Sequence, residues 1–91
     1  MADRPVTDLE VRLKRLRFRS WHRGTKEMDV ILGTFADRTL AGLTAPQLDR
    51  FEALLHNSDP DLYAWITGRE TVPKAFDHDI MRLLQGFNIK T

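Results

Sequence analysis

Apolar residues return every three or four positions along almost the whole chain, in runs that glycine or proline interrupts before a long helix can develop. That period puts them on one face of an α-helix, and the two-residue alternation of a half-buried strand is nowhere sustained. Leu9, Leu13 and Leu16 begin the pattern, with Phe18 and Trp21 extending the apolar side. Met28, Ile31, Leu32 and Phe35 form a second run, Leu48, Phe51, Leu54 and Leu55 a third, Leu62, Trp65 and Ile66 a short fourth. Phe76, Ile80, Leu83, Leu84 and Phe87 form the last. With 91 residues there is enough chain for one modest core and no second domain. The fold class expected is therefore all-α, a compact bundle of about five short helices.

The punctuation agrees. Thr44-Ala45-Pro46-Gln47 joins an N-cap, an early proline and a glutamine placed to reach back to the cap. Ser58-Asp59-Pro60-Asp61 opens the fourth helix in the same way, and Gly68 is placed to end it in a left-handed turn. Thr7 or Asp8 caps the first helix, and Gly24 or Thr25 the second. Pro73 is read as the opening of the last, with Gly86 loosening or ending it. Gly33, inside the second helix, costs about 1 kcal/mol against alanine and is explained by close helix packing. The core expected from these faces is Leu13, Leu32, Phe35, Phe51, Leu55, Leu62, Trp65, Leu83 and Leu84. Trp21 fits either a core edge or an interface. One helical domain over residues 9–87 follows, with a flexible extension at 1–8 and a tail at 88–91.

Charge is uneven. Residues 1–23 carry seven basic side chains against three acidic ones, whereas residues 24–91 carry seven basic and ten acidic. A basic first helix on an acidic body marks an interaction face for nucleic acid or for an acidic partner, or a merely solvated helix surface. Trp21 among the arginines gives the nucleic-acid reading an aromatic for base stacking. No helix-turn-helix, zinc-finger or RNA-recognition signature accompanies it.

Catalysis finds little support. Cysteine is absent, which removes thiol chemistry and thiolate metal sites. His22, His56 and His78 lie far apart with no metal-binding spacing, so no metal site is expected. Asp59 and Asp61 are read as helix-start carboxylates, and so are Glu27 and Asp29. No glycine-rich phosphate cradle occurs. No stretch approaches the length of a membrane span, so direct membrane insertion is not expected. The absence of a signal-type apolar run points to the cytoplasm, and the acidic Asp3, Asp8 and Glu10 fit poorly with an import peptide.

Residues 15–33 read Arg-Leu-Arg-Phe-Arg-Ser-Trp-His-Arg-Gly-Thr-Lys-Glu-Met-Asp-Val-Ile-Leu-Gly. Farther on, Leu54-Leu55 precedes Asp59-Pro60-Asp61-Leu62-Tyr63-Ala64-Trp65-Ile66-Thr67-Gly68. The Arg-Gly-x-x-Glu of Arg23, Gly24 and Glu27, with this downstream block, resembles the succinate dehydrogenase flavinylation and assembly factors, over about residues 9–87. The resemblance implies a small helical chaperone-like protein, not an enzyme, which binds the succinate dehydrogenase flavoprotein subunit and promotes covalent attachment of FAD to it. In some relatives the fumarate reductase flavoprotein is assisted as well. FAD is then the client's cofactor, and none is held stably by this chain.

The resemblance also implies that Arg23, Gly24 and Glu27 belong to the surface that touches the flavoprotein near its flavin, flanked by Trp21, His22 and Asp29. On physical grounds Gly24 would let the chain turn and a partner backbone approach. Arg23 would fork onto a partner carboxylate or carbonyl. Glu27 would accept backbone N–H groups or pair with a basic group. The alternative is that the trio only shapes a helix-to-helix turn, and a small nucleic-acid-binding protein is the alternative function.

Overall fold

Thr7 starts the first helix by a reciprocal pair of hydrogen bonds. Its hydroxyl accepts from the Glu10 N–H at 3.0 Å and its own N–H donates to the Glu10 carboxylate at 3.1 Å. The helix, α1, runs over Asp8–Trp21 in the computed structural model, which describes residues 7–90. Residues 1–6 of the expected extension, and Thr91, lie outside the described residues. After α1 come α2 (Lys26–Thr39), a 3₁₀ turn at Leu40–Gly42, α3 (Ala45–Leu55), α4 (Asp59–Ile66), a second 3₁₀ turn at Lys74–Phe76, and α5 (Asp79–Lys90). The five-helix, all-α expectation holds.

The capping residues explain where the helices begin. Thr44 and Gln47 form the expected capping box on α3, and the Ser58 hydroxyl accepts from the Asp61 N–H at the head of α4. Gly68, at φ +79°, follows α4 in the left-handed region. The reading of Pro73 is corrected: it precedes a single 3₁₀ turn, and α5 begins six residues later at Asp79. The physical reason is a cap. His78 takes the Met81 N–H on its Nδ1 at 3.2 Å, which satisfies an orphan donor of the new helix. Gly86 does not end α5, which continues through residues 88–90 of the expected tail.

α1 and α2 pack as a helical hairpin, with α3, α4 and α5 closing the core against them. Seven of the nine expected core residues are buried: Leu32, Phe35, Phe51, Leu55, Leu62, Trp65 and Leu84. Leu13 is half-buried against that cluster. Leu83 is corrected, being 46% exposed, because the inward stripe of α5 is set by Ile80, Met81 and Leu84. Leu83 lies on the flank of that stripe. Phe35 joins two elements, stacking on Phe51 at 5.5 Å between ring centroids and meeting Phe87 edge-on at 5.8 Å. Trp65 stacks on Phe76, which brings the second 3₁₀ turn down onto α4.

Gly33 has the close-packing role expected of it. A Cβ there would lie well inside 3.0 Å of the Trp21 indole, so α2 offers bare backbone to the ring. Trp21 is half-buried, and its Nε1–H donates to Asp37 at 3.3 Å.

Candidate functional site

The α1–α2 turn, residues 22–25, is where the sequence concentrates its candidate residues. α1 ends as the His22 N–H reaches the Arg19 carbonyl. The chain then reverses through Gly24 at φ +114°, a conformation that a side chain strains, and Thr25 occupies the N-cap position of α2. Asp29, one turn into α2, reaches back and accepts the Arg23 N–H on its carboxylate at 2.5 Å. Glu27 and Asp29 both sit in the first turn of α2, where free N–H groups favour negative charge.

The Arg23 side chain points into the molecule. Its Nε–H donates to Asp59 Oδ1 at 2.9 Å, Nη1 to the Leu55 carbonyl at 2.6 Å and Nη2 to the Asn57 carbonyl at 2.5 Å. Leu55 ends α3 and Asp59 begins α4. One guanidinium therefore satisfies carbonyls left open where α3 stops and pairs with a carboxylate where α4 starts. Thr25 adds a second tether, donating its hydroxyl to Asp59 Oδ2 at 3.0 Å. Both partners of the ion pair are only 12% exposed at the side chain, so bulk water screens them little. The fork that sequence reasoning aimed at a partner is taken up within the chain.

Glu27 is different. Its side chain is exposed, and among the described residues it has no ion-pair partner. It stands at the rim of a groove of about 420 Å³ between the start of α2 and α4, lined by Thr25, Glu27, Met28, Asp59, Pro60, Tyr63 and Arg69. An adjoining concavity, also about 420 Å³, shares Glu27 and Tyr63 and adds Lys26, Val30, Ile31 and Thr67. The Arg69 guanidinium lies over the Tyr63 ring, 5.3 Å from its centroid. The result is an apolar trough with a free carboxylate at its middle and a cation at one end.

The six candidate residues thus divide. Arg23 and Asp29 hold the turn, and Gly24 supplies its backbone reversal. Glu27 faces the groove. Trp21 packs against Gly33, and His22 stacks on Phe18 with ring centroids 3.9 Å apart, away from the groove lining. Sequence reasoning missed Asp59 as the partner of Arg23, and missed Tyr63 and Arg69 as groove walls. Asp59 and Tyr63 were visible in the downstream block that carries the resemblance. Arg69 follows Gly68 with no local signal. Among the described residues no group of three or more His, Asp or Glu side chains is arranged to hold a metal ion.

The sequence that builds this arrangement has known relatives. A family model described as "Flavinator of succinate dehydrogenase" matches residues 14–88, which include the turn, the groove and nearly all of the core. The succinate dehydrogenase assembly factor 2, mitochondrial, of Dictyostelium discoideum is 35% identical over 80 residues, covering 88% of this chain and 57% of that protein. Assembly factor 2-B of Drosophila mojavensis is 39% identical over 84 residues, covering 90% of this chain and 54% of its own length. Assembly factor 2-A of Drosophila yakuba is likewise 39% identical over 84 residues, at 90% and 52%. The chain spans about half the length of the curated relatives it matches. With the match running from the middle of α1 almost to the end of α5, the chain belongs to the family of succinate dehydrogenase flavinators.

Proposed function

We propose that this protein binds the flavoprotein subunit of succinate dehydrogenase and promotes covalent attachment of FAD to it, acting as an assembly factor and not as an enzyme. The observation that carries the reading is the family match over residues 14–88. Glu27 and the groove walls Met28, Tyr63 and Arg69 are the contact surface in this reading, and Arg23, Gly24, Asp29 and Asp59 are the frame that holds it. FAD belongs to the client, and flavin and flavoprotein supply the bond-forming chemistry. The factor favours the client conformation in which that chemistry proceeds, by binding it more tightly than the alternatives.

The nucleic-acid alternative gains no support from the arginines of α1. Arg12 pairs with Asp49 and Glu52, Arg17 with Asp37, and Arg19 with Glu52. Much of the positive charge that motivated that reading is therefore met inside the molecule.

The test is flavin fluorescence of the denatured succinate dehydrogenase flavoprotein on a gel, in a deletion strain with and without this chain. Restored covalent flavin is the expected result. No difference between the two strains, with the protein expressed and folded, contradicts the proposal. The fumarate reductase flavoprotein is a second client to read in the same gel.

A further inference from the structure

The outward face of α1 carries a second stripe that neither the core nor the groove uses. Val11, Arg15, Phe18 and His22 follow one another at three- and four-residue spacing, and Lys14 lies beside them, three after Val11 and four before Phe18, so all five share one side of the helix. All five are exposed, Val11 by 41% and Phe18 by 62%. Phe18 is nevertheless held in place. The His22 ring stacks on it and His22 Nδ1–H donates to the Phe18 carbonyl at 2.7 Å. The two cations on this stripe differ from the arginines beside them. Arg12, Arg17 and Arg19 are each paired with a carboxylate of α2 or α3, while Lys14 and Arg15 have no ion-pair partner among the described residues.

Single exposed apolar residues need no explanation. Two of them aligned with a stacked imidazole and two free cations, on a helix whose other arginines are all neutralised, make a surface with a definite complement. That complement has apolar side chains to cover Val11 and Phe18, and carboxylates to meet Lys14 and Arg15. We propose that the outer face of α1 docks an acidic amphipathic helix of a partner protein, laid along the Val11–Phe18 stripe. A nucleic acid fits less well. Two free cations neutralise too few phosphates for useful affinity, and Asp8 at the head of the same helix repels them. This surface is separate from the α2–α4 groove, and the proposal does not rest on the flavoprotein reading.

The experiment places a photo-crosslinking phenylalanine analogue at position 18 of the full chain expressed in its host, with the same analogue at exposed Ala53 of α3 as the control. Cross-linked products are digested and the captured segment is sequenced. A discrete adduct from position 18 alone, mapping to a helical segment rich in Asp and Glu with apolar residues at helical spacing, is expected. Its yield should fall roughly tenfold in a Lys14→Glu/Arg15→Glu background, as for the loss of two exposed ion pairs. Thermal unfolding of that background verifies that the fold survives, and Lys14→Gln/Arg15→Gln gives the same test without new charge. An adduct to nucleic acid, to a second copy of this chain or to a segment without acidic helical character overturns the proposal. So does a yield no greater than at position 53, or one indifferent to the charge changes.

Discussion

The guanidinium of Arg23 and the carboxylate of Asp59, 36 residues apart in sequence, meet at 2.9 Å and tie the α1–α2 turn to the corner between α3 and α4. Every groove wall stands on one side or the other of that joint. Arg23 also holds two backbone carbonyls, so its loss leaves three acceptors without their donor.

Breaking this largely buried pair should be costly. Arg23→Ala or Asp59→Ala is expected to destabilise the fold by about 3–5 kcal/mol, because each leaves a charged group or carbonyl without its partner. For a domain whose whole stability is about 5–14 kcal/mol, that is a large fraction. Arg23→Lys should recover only part of it, since an ammonium cannot reach three divergent acceptors in a fork. Chemical denaturation checks this. Wild-type midpoints in all three variants would show that the clamp contributes little.

Gly24 carries a positive φ with open space around it, so the cost of a side chain there is conformational rather than steric. Gly24→Ala is expected to cost about 1–2 kcal/mol. Gly42→Ala, where space is equally open and φ is not in the left-handed region, should be neutral or stabilising by up to about 1 kcal/mol. Equal effects in the two variants would contradict this account of the turn.

At Gly33 the neighbouring Trp21 ring, not the backbone, sets the cost of a side chain. Gly33→Ala drives a methyl group into the Trp21 indole and should cost about 1–3 kcal/mol. In a Trp21→Leu background the same change should cost much less. A double-mutant cycle reads the coupling, and simple additivity would mean that the two residues are not in contact in solution.

His78 gives the fold a pH dependence of known sign. Burial lowers its pKa below the ordinary 6.5, against the opposing pull of Asp79, with Arg50 and Arg82 adding to the depression. The cap on Met81 needs an unprotonated Nδ1. The neutral form is thus the one the fold prefers. Its contribution is complete above the ordinary imidazole pKa and is lost as pH falls through the lower folded value. Unfolding midpoints of the wild type should therefore decline more steeply between about pH 7 and 5 than those of His78→Asn, a cap that does not titrate in that range. Parallel curves would remove His78 from the account.

Helix positions were legible because periodicity and capping are local. Thr44, Gln47 and Ser58 announce their helices within four residues, and the faces of α2, α3 and α4 follow from spacing alone. Pro73 misled because a proline marks the start of any turn with helical φ, and only the His78–Met81 contact shows that the helix restarts at Asp79. Leu83 misled because it lies three residues from Ile80, as a stripe residue would, while Met81 and Leu84 take the inward side of α5 and leave Leu83 on the flank. The candidate site was legible as a cluster of residues but not as a division of labour. Arg23 and Glu27 lie four apart and look equivalent in sequence. Only the position of Asp59 shows that one turns inward and the other outward.

Glu27→Ala separates the outward role from the inward one when covalent flavin and stability are measured on the same variant. Glu27 is exposed and, among the described residues, has no ion-pair partner, so its removal should cost only what its place in the first turn of α2 contributes, less than about 1 kcal/mol. In a deletion strain complemented with Glu27→Ala, flavin fluorescence on the succinate dehydrogenase flavoprotein should drop severalfold or more, as for the loss of a charge-assisted contact of about 1.5–3 kcal/mol. Undiminished flavinylation by a folded Glu27→Ala protein would contradict the assignment of this surface, and a loss of stability matching that of Arg23→Ala would show that Glu27 belongs to the frame instead.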